Sequence, residues 1–274
     1  MSDHNAPDVA PSARRPAIVL AATHHDPDGA MLAQTRRVLP RLRELYAAIV
    51  VLATPATEPR TIELLREHGA QVVHDSSADH GAETLGLKRL ELLRLAAAPD
   101  VAHIHLCDLD RALHWAEQYP DELRTIIASI PRHDLLILGR TPRAFATHAR
   151  VQRDTEAIVN HVFGLAFGQP LDVTAASRGF SRAAIQALLE LDTPEPTIGQ
   201  DCSWPLYLAR LEELVIGYAA TEGLEWETPD RFGDEITAAG GLEPWLAEYD
   251  ADPQRWQERT QLALHEVAAI NRWR

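Results

Sequence analysis

Two cysteines in 274 residues, a single lysine and no long apolar run are the first informative absences in this chain. Cys107 and Cys202 are too few for a disulfide framework and lack zinc-ligand spacing, so a reducing compartment, the cytoplasm, is the expected setting. No segment approaches the ~20 apolar residues of a membrane span. Residues 1–15, rich in Pro, Ala and Asp, lack the apolar stretch of a signal peptide and are expected to form a disordered tail. Cations are scarce as well: 26 Lys and Arg against 40 Asp and Glu leave a net charge of −14, which argues against a nucleic-acid-binding face. Also missing are G-x-S-x-G, a Walker A sequence, G-x-G-x-x-G after the first apolar run, and H-E-x-x-H. Their absence removes the hydrolase elbow, the phosphate loop, the dinucleotide turn and the zinc-protease helix from consideration.

What is present is a globular composition, 46% hydrophobic and 24% charged. Short continuous apolar runs at Ala17–Ala22, Ala48–Ala53, Gln71–His74, Val101–Leu106 and Asp134–Leu138 read as strands buried on both faces. Between them, Met31–Tyr46, Glu58–His68, Leu85–Ala97 and Tyr119–Ser129 carry helical spacing, with Gly69 at the left-handed stop of the second. Strands and helices alternating at this interval predict an α/β fold, a mostly parallel sheet covered by helices on both faces. Further on, Thr155–Phe167, Ser181–Leu191 and Asp201–Arg210 read as helices, Asp172–Phe180 as strand or loop, and Glu213–Gly217 as a late strand. A helix over Pro253–Arg274 closes a C-terminal helical extension. The expected division is a tail at 1–15, a main domain at 16–222 and the extension at 223–274.

In such sheets ligands sit beyond the carboxyl ends of the strands, so a polar cluster counts only if it follows a strand. The tripeptide Asp-x-Asp occurs at Asp26/Asp28, Asp108/Asp110 and Asp250/Asp252, where about one occurrence is expected by chance. Only Asp108 and Asp110 directly follow an apolar strand. In an extended segment, residues two apart share a side, so both carboxylates would face one ligand. Two converging carboxylates repel unless a cation lies between them. Mg²⁺ or Mn²⁺, shared with a diphosphate, suits so small a donor set. Capping of the following helix, or pairing with Arg111, is the structural alternative.

The order of elements resembles nucleotide-sugar-dependent glycosyltransferases of the GT-A fold (nucleotide-diphospho-sugar transferase fold), of the family 2 group and its phosphoglycerate-glycosylating relatives. The resemblance rests on Ala17–Thr23, on Gly86-Leu87-Lys88-Arg89, on Cys107-Asp108-Leu109-Asp110, and on Asp172 through Arg182 followed by Gln200-Asp201. It implies a sugar moved from a nucleoside-diphosphate sugar, UDP- or GDP-linked, to a small, hydroxyl-bearing acceptor, acidic or neutral, with no nucleic acid or membrane partner and with a homodimer left open. Residue by residue, it implies Asp108 and Asp110 as metal ligands, Asp110 the more direct. Thr23, Gly86, Lys88, Arg89 and Asp108 would lie at the nucleotide, Ser177, Arg178 and Gly179 in a loop shaping the acceptor pocket, and Asp201 would be the base that deprotonates the acceptor hydroxyl. On the residues alone, Lys88 and Arg89 also fit a solvated helix face, Ser177–Phe180 a turn, and Asp201 a helix cap. The chain departs from the family pattern at Thr23-His24-His25, where a proline and an Asn-Glu pattern are usual, and between Asp201 and His265, which contains no histidine. A nucleotidyltransferase, or a degenerate GT-A domain that binds without turnover, are the rival readings.

Overall fold

The computed structural model describes residues 18–76, 81–97 and 101–273. The expected tail at 1–15 lies outside the described residues. The elements in chain order are β1 (Ile18–His24), α1 (Leu32–Leu45), β2 (Ala48–Ala53), α2 (Pro59–Glu67), β3 (Gln71–His74), α3 (Leu85–Ala96), β4 (His103–Leu106), α4 (Leu109–Gln118), α5 (Pro120–Ser129) and β5 (Leu135–Arg140). They continue with α6 (Pro142–Ala146), α7 (Arg150–Phe167), β6 (Ser177–Ser181), α8 (Arg182–Leu189), α9 (Gln200–Leu208), β7 (Ile216–Thr221), α10 (Gly233–Ala238), α11 (Leu242–Ala251) and α12 (Pro253–Asn271).

The seven strands form one sheet in the order β3-β2-β1-β4-β6-β5-β7. β6 is antiparallel to both its neighbours, and every other pairing is parallel. The apolar runs are continuous because successive residues feed two cores. Ile18, Leu20 and Ala22 of β1 join Ile49, Val51 and Ala53 of β2 in a core closed by α1, α2, α4 and α5. Val19, Ala21, Val50 and Leu52 point the other way, against Leu92 and Leu93 of α3, Ile185 of α8 and Trp204 of α9. Both faces are thus covered, as the alternation of elements predicts. A smaller core joins Val159 and Phe163 of α7 to Cys202 and Leu206 of α9 and to Ala263 and Ile270 of α12. Gly69 takes the left-handed φ of +75° that ends α2, and Cys107 and Cys202 are both buried free thiols.

Two segments depart from the sequence expectation. Asp108 and Asp110 do not lie in an extended segment: Asp108 is the N-cap of α4, with extended φ and ψ, and Asp110 sits in its first turn. The alternation argument therefore does not bring them together; the strand-to-helix turn does. Ser177, Arg178 and Gly179 are not a loop over a ligand but the middle of the sheet, paired with β4 on one side and β5 on the other.

Candidate functional site

After β1 the chain runs outward through β2 to β3, then crosses back to place β4 on the other side of β1. The loops leaving β1 and β4 diverge there, and a crevice opens at their carboxyl ends. One side-chain bond spans it: Thr23 Oγ1 donates to Asp108 Oδ1. The crevice is a cleft of about 200 Å³ whose walls include Thr23, His24, His25, Lys88, Asp108 and Asp110. Lys88 Nζ reaches into it and lies 2.9 Å from Asp75 Oδ2.

The two aspartates are electrostatically unlike. Burial opposes ionisation of Asp108, but Arg89, Arg111 and the Thr23 hydroxyl outweigh it and hold its carboxyl below the usual range. Asp110 is pushed up to about 7, by burial first and then by the charges of Glu227 and Asp108. The nearest counter-charge across the cleft, Arg231 Nη1, is 3.9 Å away. Among the described residues there is no ready group of three or more metal-ligating side chains. Asp110 Oδ1 accepts the Arg111 backbone N–H at 2.9 Å, whereas Asp108 accepts from both Thr23 and Arg89. Such a pair could hold a hard divalent cation that takes its other ligands from water and phosphate.

Behind Asp108 lies a buried charge cluster. Arg89, 3% exposed, sends Nη2 to Asp108 and Nη1 to Asp201, each at 3.1 Å. Arg178, fully buried, places Nη1 2.7 Å from Asp201 Oδ1, and Gln200 Nε2 donates to the same oxygen at 2.8 Å. Oδ1 of Asp201, the expected base, is thus occupied by two guanidinium groups and an amide, while Oδ2 accepts from Arg89 alone at 3.1 Å among the described residues. Asp201 anchors the two arginines. Arg89 is likewise committed to carboxylates, so Lys88 is the cation of that helix turn left nearest the cleft.

Three further assignments are corrected by packing. Arg178 also donates to the carbonyls of Val173 and Asp201, leaving no face for an acceptor. Ser177 Oγ bonds His105 Nε2 at 2.9 Å inside the sheet, and a Cβ on Gly179 would sit 2.7 Å from Ile130 Cγ1. Gly86 makes room for the backbone of residues 195–197, not for a nucleotide: a Cβ there would lie 2.2 Å from the Glu195 carbonyl.

A second cleft of about 140 Å³ adjoins the first, sharing Leu85 and Asp108 with it. Its charged lining includes Arg89, Arg111, Glu156, Asp201, Arg259 and Glu266, with Ala176 at its edge. Ala176 has a left-handed φ of 55°, a strained choice for a residue with a Cβ, at the edge of this cleft. Arg111 holds Glu227 at 3.5 Å and donates to the Ala175 carbonyl. Sequence reasoning did not name Arg231, Glu227, Arg259 or Glu266: Glu227 and Arg231 follow β7 only after an intervening loop, and Arg259 and Glu266 lie within a long helix.

The segment carrying Glu227 and Arg231 is tied down by His114, whose ring nitrogens meet Asp230 at 2.8 Å and Glu225 at 3.3 Å. Burial lowers the affinity of His114 for a proton, yet Asp230 and Glu225 outweigh burial and raise its pKa above 6.5. Stability from this contact is therefore full below pH 6.5 and fades as pH rises through the folded-state value. Thermal melts should find His114→Gln about 3 °C less stable than wild type at pH 5.5, and closer to it at pH 8.5. A gap that does not change with pH would mean the histidine is neutral throughout.

No family model matches the chain, and no curated protein matches it. Among solved structures it is similar to glucosyl-3-phosphoglycerate synthase from Mycobacterium tuberculosis in complex with phosphoglyceric acid, at 14% identity and a TM-score of 0.49, over 83% of this chain and 81% of that one. The complex of that enzyme with Mn²⁺, uridine diphosphate and phosphoglyceric acid is similar at 14% identity and a TM-score of 0.47, over 74% of this chain and 68% of that one. Rv0371c from Mycobacterium tuberculosis H37Rv is similar at 15% identity and a TM-score of 0.40, over 80% of this chain and 95% of that one.

Proposed function

We propose that this chain is a GT-A-type glycosyltransferase. It would take a nucleoside-diphosphate sugar in the first cleft and pass the sugar to a small, hydroxyl-bearing, acidic acceptor in the second. The observation that carries this reading is the placement of Asp110. It is a partly exposed carboxyl, held through Oδ1 by the Arg111 backbone N–H, at the switch point of a mostly parallel sheet, beside an aspartate fixed by Thr23 and Arg89, and it lines a cleft that adjoins another. Asp110 and Asp108 would hold Mg²⁺ or Mn²⁺. Such an ion supplies Lewis-acid stabilisation of the departing diphosphate.

The chain's own residues supply the rest. Thr23 and Arg89 keep Asp108 from turning away, and Lys88, paired with Asp75, brings a cation to the wall of the first cleft. His24, with its pKa lowered to about 4 chiefly by burial, stays neutral and lines the nucleoside end. In the second cleft Arg111 and Arg259 present cations to an anionic acceptor. Two free buried thiols agree with a cytoplasmic setting. Among the described residues no helix is long and apolar enough to cross a membrane.

The test is release of nucleoside diphosphate from a panel of UDP- and GDP-sugars with Mn²⁺, in the presence and absence of chelator. The expected result is slow hydrolysis of one donor, abolished by chelator. Absence of both turnover and UDP or GDP binding would sink the proposal. The clamp on Asp201 favours a second reading, binding without turnover, because it ties up one oxygen of the carboxylate expected to act as base. Metal-dependent thermal shifts with no diphosphate released would establish that reading.

A further inference from the structure

The second cleft contains a carboxyl that the protein itself leaves unused. Glu266 lies on α12 and is 4% exposed. Asp201, Glu156, Arg259 and Arg178 act on its charge, yet among the described residues no hydrogen bond or ion pair ends on it. Burying an unpaired polar group costs about 1–3 kcal/mol, a cost that persists where function needs the group. Its place on the helix is not accidental either. Arg259, Leu262, Ala263 and Glu266 all line the cleft, at the spacing of three, four and seven residues that marks one helical face.

The partners differ in how far they are engaged. Arg259 gives one Nη to Gln152 at 3.1 Å and keeps the other 3.7 Å from Glu156, beyond hydrogen-bond range, with 30% of the side chain exposed. It has donors to spare at the cleft mouth. Deeper in, burial, reinforced by Asp201 and Glu156, pushes the Glu266 carboxyl well above the usual range, while Arg259 and Arg178 only partly oppose this. A carboxyl shifted in this direction takes up a proton more readily than a free one, and in that form it can donate a hydrogen bond.

We propose that Glu266 holds a hydroxyl of the acceptor by a hydrogen bond, while Arg259 faces the acceptor's anionic end. This rests on reading the second cleft as the acceptor side, and it adds a specificity-determining residue that the charge cluster around Asp201 does not supply.

Calorimetry with D-glycerate, glycerol 3-phosphate and glycerol, on wild type, Glu266→Gln and Glu266→Met, tests it. One or both anions should bind wild type at least about tenfold more tightly than glycerol, and which of them does separates carboxylate from phosphate. Glu266→Gln, which keeps a donor, should bind within about threefold of wild type, whereas Glu266→Met, similar in volume and without one, should lose about tenfold or more. Both variants should melt at or above wild type, because an unpartnered buried acid has been removed. Wild-type affinity in Glu266→Met, equal losses in both variants, a melting point several degrees lower in Glu266→Met, or no binding of either anion to wild type would each overturn the proposal. UDP affinity with Mn²⁺, measured on the same three proteins, should not change. Its absence in wild type would refute the nucleotide cleft and leave the acceptor result standing by itself.

Discussion

Arg178→Leu is expected to melt about 10 °C below wild type, the largest single effect on stability among the residues discussed. The guanidinium is fully buried, lies 2.7 Å from Asp201 Oδ1 and donates to two carbonyls. Removing it leaves Asp201 with Arg89 and Gln200 and strips two buried acceptors of their partner. Breaking a buried pair from one side costs about 3–5 kcal/mol, and in a chain of this size each kcal/mol moves the melting temperature by about 2–4 °C. Adding Asp201→Asn should recover part of the loss, because the stranded charge goes with its partner. Circular dichroism melts of the two single variants and the double variant read this directly. The same series decides between an anchoring and a ligand-binding role: an Arg178 that served an acceptor would show its loss in affinity, with the melt nearly unchanged.

Asp110→Asn is expected to part function from stability. With Mn²⁺ present, its affinity for UDP or GDP should fall about a hundredfold, because the amide cannot replace the anionic ligand. In metal-free buffer the same variant should be the more stable protein. The Asp110 carboxyl has a folded-state pKa of about 7 against a reference of 3.8. Its protonated form thus favours folding below pH 3.8, and that contribution is lost as pH rises through 7. The melting-point advantage of the asparagine should accordingly be near zero at pH 4 and about 5 °C at pH 8 with chelator. An advantage equal at both pH values would show that the carboxyl is not crowded by Glu227 and Asp108.

Much of the sheet was legible because strands buried on both faces write themselves as unbroken apolar runs. Ala48–Ala53 matches β2 residue for residue, and Leu85 opens α3 as expected. β6 was hard to read for the opposite reason. Ser177-Arg178-Gly179-Phe180-Ser181 carries almost no apolar signal, and its burial depends on partners elsewhere: Asp201 for the arginine, His105 for Ser177, Ile130 against the glycine. No window along the chain contains those three. The start of α4 was within reach, since an aspartate N-cap before a helical stretch is a recognised start signal. Reading Asp108–Asp110 as extended brought both to the first cleft by the wrong geometry. Glu266 was invisible in principle. Arg259 through Glu266 reads as a solvated helix face, and only the packing of α12 on α7 and α9 turns that face inward.

The two clefts share a wall at Leu85 and Asp108 but differ in how they can be assembled. Nearly all of the first is drawn from the run of strand–helix units between β1 and α4, whose pairings join residues 29 apart between β1 and β2 and 85 apart between β1 and β4, against 181 between Leu85 and Glu266. The second brings Leu85 together with Glu266 and cannot exist until α12 has docked. Contacts so far apart along the chain form late, because the intervening loop must close before they are made. A folding chain would therefore acquire a place for a nucleotide before it has anywhere to seat an acceptor, and the docking of one helix would turn a single-ligand sheet into a two-substrate chamber.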